Sequence, residues 1–303
     1  MDPLSDFLSL VRPGTYGFRG LEAGGEWSLA FAADDGVKCY AIQSGACWLA
    51  LEGVAEPIRL TAGDFVLMPG GAAYRLCSAP EASPIDALGF LLTVSAGQNA
   101  VLNGGGDVSG VGGYFGFEGM HAERLLSMLP PVVHIRAEAD KVGLRWSIER
   151  LMRELREPQL GGALIAEHLA QTLLIEALRL HLADQSPHRS GWLFALADRR
   201  MRAVIAAMHA EPGRKWTLAT LAKVAGMSRS SFALRFKATV GEPAMDYLTR
   251  WRMLVASDRL ANGGMSIAIV APTVGYDSES AFGAAFKRVI GSSPRQFARA
   301  AAR

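Results

Sequence analysis

Cysteine is scarce in this sequence of 303 residues. Cys39, Cys47 and Cys77 are the three that occur, an odd number without the paired spacing of a zinc site. A chain of this length can also bury hydrophobic cores without disulfide support. We therefore expect three reduced thiols in a core, with a reactive thiol as the less favoured alternative.

Long apolar runs are absent as well. No stretch of 18 apolar residues is available to span a bilayer. The N-terminus, Met1-Asp2-Pro3-Leu4, lacks the basic segment followed by an apolar one that is typical of a secretion signal. We therefore expect a cytoplasmic protein that does not enter a membrane.

Signatures of catalysis are also absent. We find no nucleophile elbow, no metal-ligand cluster and no phosphate loop. The glycines between Gly104 and Gly113 have no Gly-Lys-Ser/Thr behind them, so we interpret them as a flexible connection before a strand at Tyr114–Phe117. The sequence thus predicts no catalytic residue, and an enzyme with an appended basic domain is the less favoured alternative.

Charge is distributed unevenly along the chain. Residues 1–196 carry 14 Lys and Arg against 22 Asp and Glu, a net charge of −8, whereas residues 197–303 carry 17 against 7, a net charge of +10. A basic segment of this kind is typical of a nucleic-acid surface, because clustered cations release counterions from phosphates. The last third of the chain is therefore the candidate DNA-binding region.

Hydrophobic periodicity divides the remainder into strands and helices. Short apolar or alternating runs between Trp27 and Ser95, broken by glycine and proline, predict an antiparallel barrel or sandwich. Helices are predicted over residues 121–129, 139–157 and 161–184, and a polar linker over 185–191.

The third of these helices carries an apolar stripe at Ile165, Leu169, Leu173, Ala177 and Leu180. The stripe requires a partner surface. Packing against the chain's own barrel and a seam between two copies in a homodimer are equally favoured by the pattern, so both interpretations stay open.

Residues 197–303 contain two related helix pairs. Thr217 is a predicted N-cap, Gly226 a turn and Ser228 the cap of a second helix whose Phe232 and Phe236 face the core. About fifty residues later Gly275 forms a turn, Asp277 or Ser278 caps a helix, and Phe282 and Phe286 repeat the aromatic spacing. Two helix-turn-helix units in register predict two recognition helices, which would read successive turns of DNA if they lay roughly 34 Å apart.

One residue departs from this pattern. Pro272 falls within the first helix of the second unit and cannot donate a hydrogen bond to residue 268. An interior proline costs ~3 kcal/mol unless it is compensated. We therefore expect a kinked or shortened helix, which leaves DNA binding by the second unit open.

Residues 215–297 closely resemble the DNA-binding domain of AraC/XylS-family regulators. The resemblance is carried by Gly226-Met227-Ser228-Arg229-Ser230-Ser231-Phe232, Tyr247-Leu248-Thr249-Arg250-Trp251-Arg252-Met253, Val274-Gly275-Tyr276 and Phe286-Lys287-Arg288-Val289-Ile290-Gly291-Ser292-Ser293-Pro294. It implies a regulator that reads direct-repeat half-sites in promoter DNA and recruits RNA polymerase, and it favours an activator over a repressor.

By position, the resemblance places DNA contacts on two sets of residues. The first unit supplies Ser228, Arg229, Ser230, Ser231, Ala233, Leu234, Lys237 and, from the helix between the units, Arg250. The second supplies Ser278, Glu279, Ser280, Gly283, Ala284, Lys287 and Arg288. Because long polar side chains are few, we expect modest direct base reading and heavy reliance on DNA shape and on phosphate contacts. The phosphate contacts are expected from Lys237, Arg250, Lys287 and Arg288.

The segment Gly63-Asp64-Phe65-Val66-Leu67-Met68-Pro69-Gly70 resembles the second motif of the cupin barrel found in sensor domains of AraC-type regulators. Metal-binding cupins have histidine at the position of Tyr74, but residues 1–100 contain no histidine. Because these ligands are missing, we expect a barrel that holds no metal through histidine, and we predict no cofactor. A small-molecule effector would bind in a pocket lined by Trp27, Phe31, Tyr40, Trp48, Tyr74 and Arg75. For each of these aromatic residues, packing in the barrel core is the favoured role.

These observations predict an α+β protein in three parts. They are a cupin-like sensor barrel over residues 1–120, a helical linker or dimerisation region over 121–190, and an all-α DNA-binding domain with two helix-turn-helix motifs over 197–303. The predicted function is transcription regulation in response to a small effector; a ligand-independent regulator that uses its barrel for dimerisation is the alternative.

Overall fold

The computed structural model describes residues 2–10, 12–34, 36–95, 98–118, 126, 129–136, 142–157, 159–183, 191–262 and 264–301. The chain forms two compact units. The barrel unit comprises residues 13–118 and 129–185, and the helical unit comprises residues 1–12, 119–128 and 186–303. Within the described ranges, no helix has the length and apolar character needed to cross a bilayer.

The first helix, α1 (Pro3–Leu10), belongs to the helical unit, and the strands that follow form two sheets in the barrel unit. The strands are β1 (Arg12–Ala23), β2 (Ser28–Phe31), β3 (Val37–Ser44), β4 (Ala46–Leu51), β5 (Ile58–Thr61), β6 (Phe65–Met68), β7 (Tyr74–Cys77), β8 (Ile85–Asp86), β9 (Ala100–Leu102), β10 (Val108–Glu118) and β11 (Val133–Ile135). One sheet has the order β11-β6-β3-β10-β1-β9 and the other β5-β4-β7-β2-β8. The mixed α+β class with a β-rich first part is thus confirmed.

Side chains from both sheets share one apolar core. Along β4, the alternation of the sequence places Cys47, Leu49 and Leu51 inward, where they are buried with Leu60 of β5 and Val66 of β6. Cys39 and Cys77 are buried as well, and burial raises the pKa of Cys39 to about 12. The three cysteines are therefore unpaired core thiols, as the sequence predicts.

Three further helices belong to the barrel unit. They are α2 (Ala87–Leu92), which the sequence analysis did not predict, α3 (Val142–Arg156) and α4 (Gly162–Ala183). The last two confirm the helices expected over 139–157 and 161–184, whereas the helix expected over 121–129 falls largely outside the described residues. The linker over 185–191 also lies outside them except for Gly191.

The apolar stripe on α4 is mostly covered by its own unit. Leu169, Leu173 and Ala177 are buried, and α4 packs against α3 and β11. Ile165, at the N-terminal end of the stripe, remains 40% exposed. Packing within the chain therefore accounts for the middle of the stripe, and a dimer seam on this stripe stays a prediction that only its exposed N-terminal end could serve.

The glycine-rich segment corrects one expectation. Gly110, Gly112 and Gly113 were interpreted as a flexible connection, but they lie in β10, which pairs with β3 from Ser109 to Phe115. A Cβ at Gly110 would stand 2.7 Å from the carbonyl oxygen of Ala41, and one at Gly113 would stand 2.1 Å from the Phe18 ring. These glycines are used for close approach between neighbouring strands and rings, not for a flexible connection.

The helical unit contains, after α1, a series of helices from residue 192 onward. They are α5 (Trp192–Ala195), α6 (Arg199–Ala210), α7 (Leu218–Ala225), α8 (Arg229–Val240), α9 (Ala244–Asn262), α10 (Ile267–Thr273), α11 (Glu279–Ile290) and α12 (Pro294–Ala301). This arrangement confirms the predicted all-α C-terminal part with its two helix pairs, α7–α8 and α10–α11.

The expected boundary of the first domain at residues 1–120 needs correction, because α1 packs in the helical unit. Phe7 is fully buried there and stacks on Trp192 with ring centroids 4.5 Å apart. Asp6 Oδ2 lies 3.5 Å from Nδ1 of His209 on α6, and burial lowers the pKa of this histidine to about 3. The apolar face of α1 is thus satisfied by the helical unit, and residues 1–12 belong with the C-terminal part.

Candidate nucleic-acid interface

The first helix-turn-helix unit is built by local capping interactions. Thr217 caps α7: its hydroxyl accepts from the N–H of Thr220, and the Thr220 hydroxyl accepts from the N–H of Thr217, which together form a capping box. Gly226 ends α7 with a left-handed φ of 62°. Ser228 then caps α8 by accepting from the N–H of Ser231 at 3.2 Å. The predicted helix, turn and recognition helix are confirmed.

Aromatic side chains fix the buried side of α8. Phe232 and Phe236 are fully buried with ring centroids 5.6 Å apart, and Phe236 contacts Tyr247 of α9 edge to face. Tyr247 in turn shares a 2.7 Å hydrogen bond with His209 of α6. With both phenylalanines directed inward, the opposite side of α8 is left to solvent.

The second unit repeats this construction. Ser278 caps α11 by accepting from the N–H of Ala281, which resolves the sequence alternative in favour of Ser278 over Asp277. Phe282 and Phe286 are fully buried with centroids 5.5 Å apart. Their core includes Met253 and Ala256 of α9, so this helix contributes to both units.

Pro272 lies in the last turn of α10 and does not break the helix, which continues to Thr273. The carbonyl of Ala268, which loses its usual partner at residue 272, belongs to an exposed residue that water can reach. The Pro272 carbonyl itself accepts from the N–H of Gly275 at 3.0 Å. The helix ends one residue past Pro272, and the second unit still forms, because an exposed last turn tolerates a missing hydrogen bond. DNA binding by the second unit stays a prediction.

Arg252 on α9 joins the two units, a role that the spacing of the sequence does not reveal. Its Nε donates to the Pro212 carbonyl at 2.7 Å and its Nη2 to the Arg214 carbonyl at 2.8 Å, in the loop before α7. Gly275, with φ of 84°, lies in the turn of the second unit, and a Cβ there would stand 2.8 Å from Arg252 Nη2. The same Cβ would stand 2.9 Å from the backbone carbonyl oxygen of Gly213, so this carbonyl and the positive φ together require glycine.

The predicted DNA-contacting side chains lie on the outer side of the two second helices. Ala233 and Gly283 are half-buried. The exposed members are Ser228, Arg229, Ser230, Ser231, Leu234 and Lys237 in the first unit, and Ser278, Glu279, Ser280, Ala284, Lys287 and Arg288 in the second. We name the exposed sides of α8 and α11 the two recognition faces.

Arg250 does not join this exposed set. It is half-buried on α9, its guanidinium is ion-paired with Glu242, and it lies 5.7 Å from the Tyr247 ring centroid. A cation already neutralised by a carboxylate contributes less to a phosphate contact. The expectation that Arg250 binds phosphate is therefore disfavoured by its local partner.

Other exposed cations were missed by the sequence analysis. Arg199, Arg200 and Arg202 lie at the start of α6, and Lys223 lies on α7. Arg235, on α8, donates to the N-cap Asp198 of α6 at 2.6 Å. Burial opposes ionisation of Asp198, but the hydrogen bonds from Arg235 and from the backbone N–H groups of α6 outweigh it and lower the pKa of this carboxyl group.

The candidate effector residues lie in the barrel core. Tyr40 and Tyr74 share a 2.6 Å hydroxyl hydrogen bond, and the Phe31 and Tyr74 rings stack at 4.5 Å. A cavity of about 20 Å³ beside Trp27 and Tyr40 has room for a water molecule. Trp48 and Arg75 are half-buried on strands β4 and β7. These contacts show the aromatics in core packing, the role favoured for them above.

A two-unit helical domain with exposed basic recognition faces defines a DNA-binding transcription regulator. Comparison with known proteins agrees: a family model described as cupin matches residues 2–183, and one described as a helix-turn-helix domain matches residues 221–300. The cupin model covers more than half of the chain. The helix-turn-helix model and the relatives described next indicate a transcription regulator rather than an enzyme.

Three relatives align along nearly the whole chain. An AraC-like transcription regulator of Streptomyces lividans is 41% identical over 299 residues, 98% of each chain. The HTH-type transcriptional regulator AlkR of Acinetobacter baylyi is 30% identical over 98% of this chain and 99% of its own. The RCS-specific HTH-type transcriptional activator RclR of Escherichia coli is 27% identical over 98% of this chain and 97% of its own. The protein belongs to the AraC-like transcription regulators.

Proposed function

We propose that this protein is a cytoplasmic activator that places α8 and α11 in successive major grooves of a promoter and recruits RNA polymerase there. The observation that carries the proposal is the pair of matching recognition faces, each with a serine cap and a lysine, Lys237 or Lys287, at the same position of its helix. The net charge of +10 over residues 197–303 supplies attraction to phosphates. A relative named as a transcriptional activator supports the sign of regulation.

Direct-repeat half-sites follow from the internal repetition of the helical unit. The pairs α7–α8 and α10–α11 repeat in the same order along one chain, and we infer that they present their recognition faces in the same sense. DNA half-sites in the same orientation match such a protein, whereas a palindrome would match a two-fold dimer.

Sensing of a small-molecule effector belongs to the same proposal and is assigned to the barrel unit. The cavity of about 20 Å³ would have to enlarge, so an effector must displace side chains such as Trp27 or Tyr40. A ligand that binds the folded state raises the thermal midpoint. A midpoint unmoved by every member of a metabolite panel would instead favour the ligand-independent regulator.

Homodimerisation is proposed through α3 rather than through the covered stripe of α4. Val142 and Trp146, four residues apart on α3, are 76% and 59% exposed. Burial of this pair between two copies would remove apolar surface from water. Sedimentation of the wild type and of Trp146→Glu tests this, with a smaller dimer fraction expected for the variant.

The experiment that tests the main proposal is binding of the full chain to fragments from its own genomic neighbourhood at two salt concentrations. A random duplex serves as the control. Sequence-selective binding that weakens steeply with salt is expected. Equal affinity for both duplexes, with and without candidate effectors, would contradict promoter recognition.

A further inference from the structure

Leu234 is an unusual residue for its position. It lies in the middle of α8 and is 73% exposed. It is two positions from Phe232 and from Phe236, so at about 100° per residue it points away from the core that these rings occupy. Ser230 and Lys237, at spacings of four and three, share its side of the helix and are exposed. A large apolar side chain thus stands at the centre of a polar recognition face.

The fold gains little from this leucine. A side chain that remains largely in water buries little apolar area, and alanine is at least as good a helix former as leucine. Its apolar surface becomes buried only when a partner covers the recognition face. The chemistry of that partner therefore decides what Leu234 contributes.

The edges of the bases in the major groove are polar apart from one group, the C5 methyl of thymine. Leucine placed against a carbonyl or amino edge would desolvate that edge without pairing it, which is unfavourable. Leucine placed against the thymine methyl buries apolar surface on both sides. We propose that Leu234 packs on a thymine methyl in the half-site bound by α8, an inference that rests on the promoter-binding function proposed above.

The second recognition face lacks this feature. Ala284 occupies the position in α11 that Leu234, fifty residues earlier, occupies in α8. Each residue lies two positions after the first buried phenylalanine of its helix. A single methyl group extends less far toward the bases. Dependence on a thymine methyl is accordingly a property of the first half-site and of Leu234.

Uracil scanning tests the contact directly. A duplex is first selected from a random pool by the full-length protein, and each thymine is then replaced in turn by uracil, which keeps every hydrogen-bonding group and removes only the methyl. Burial of one methyl or methylene group corresponds to about a fourfold change in affinity. We expect about fourfold weaker binding of the wild type at one or two positions confined to one half-site.

The Leu234→Ala variant shows whether the effect of uracil depends on this side chain. At the sensitive positions it should bind the thymine and uracil duplexes equally, while Leu234→Met, which keeps an apolar side chain, should stay sensitive. The matched control is Leu88→Ala, which removes a leucine that is 65% exposed on α2 and should leave the wild-type sensitivity unchanged. Equal thermal midpoints of Leu234→Ala and wild type would confirm that the fold is kept.

Two results overturn the proposal in distinguishable ways. Selective binding of the chosen duplex with no uracil effect, or with an effect that persists in Leu234→Ala, would eliminate the methyl contact and leave promoter binding intact. Failure of the full chain to select any duplex would remove the promoter-binding function and this inference with it.

Discussion

The two helix-turn-helix units share a buried architecture and differ on their exposed faces. Phe232 and Phe236 in α8 match Phe282 and Phe286 in α11 in spacing and burial. On the outside, however, Arg229 faces solvent at the first position of α8 and Glu279 at the first position of α11. Packing restricts the inner positions because cores tolerate little change in volume. The outer positions are left to the DNA, so the two half-sites are expected to share one orientation and to differ only at the bases opposite the residues that differ.

The largest expected effect is the loss of a buried phenylalanine, and it tests whether the two units have equivalent cores. Phe232→Ala and Phe282→Ala should each lower the free energy of unfolding of the helical unit by about 3–5 kcal/mol, because each removes a fully buried ring. Urea denaturation followed by tryptophan fluorescence measures both. A loss below about 1 kcal/mol for one ring alone would show that the two cores are not equivalent.

The opposite charges at the two helix starts give the next effect. Arg229→Ala should weaken promoter binding by about tenfold at low salt and reduce the magnitude of the salt slope by about 0.9, as expected for one lost phosphate contact. Glu279→Gln should strengthen binding, since it removes a carboxylate from an anionic interface. Titrations at several salt concentrations measure both, with Lys287→Ala as a second cationic variant expected to weaken binding. Unchanged affinity for Arg229→Ala and Lys287→Ala would contradict the docking faces.

The ion pair of Arg235 is expected to make the free energy of unfolding depend on pH, and α11 has no equivalent of this pair. Arg235 pairs with Asp198, whereas Ala285 occupies the matching position of α11. The pKa of Asp198 in the folded protein lies below its ordinary value of 3.8. Its stabilisation is therefore complete above pH 3.8 and is lost as the pH falls through the folded-state pKa.

Replacement of this cap measures that contribution. Asp198→Ala should cost about 1 kcal/mol at pH 7, the usual value of an N-cap, and the difference from wild type should shrink below pH 4. Denaturant titrations at pH 7 and pH 3 give the two values. A cost that is independent of pH would mean that the ionised carboxylate is not the stabilising form.

The smallest expected effect concerns the proline of the second unit. Pro272→Ala should change the free energy of unfolding by less than about 1 kcal/mol, far below the ~3 kcal/mol of an interior proline, because the residue is exposed in the last turn of α10. Thermal unfolding of the two proteins, with Ala268→Gly as a neighbouring control that should destabilise, measures the change. A large gain in stability would show that α10 is strained.

Local rules predicted much of the helical unit. The Thr217, Ser228 and Ser278 caps, the Gly226 turn and the paired phenylalanines were all visible as short-range patterns, since a cap or a turn depends on residues within a few positions. The exposed face of α8 followed from the same periodicity, whereas that of α11 was placed by the family resemblance. Two features were not visible in this way. The cost of Pro272 depended on its exposure, and the pairing of Arg250 with Glu242 depended on side chains eight residues apart meeting in space.

The sequence by itself determined the position of the basic domain, the β-rich character of residues 27–95 and the caps and aromatic pairs of both helix-turn-helix units, because charge, period and capping are encoded locally. Tertiary structure alone decided that α1 packs in the helical unit through Phe7 and Trp192, which are separated by most of the chain. It also decided that Gly110 and Gly113 are strand residues and that Arg252 holds the loop before α7. Such contacts join segments that are far apart in the sequence, so no local pattern predicts them and they form only as the chain folds.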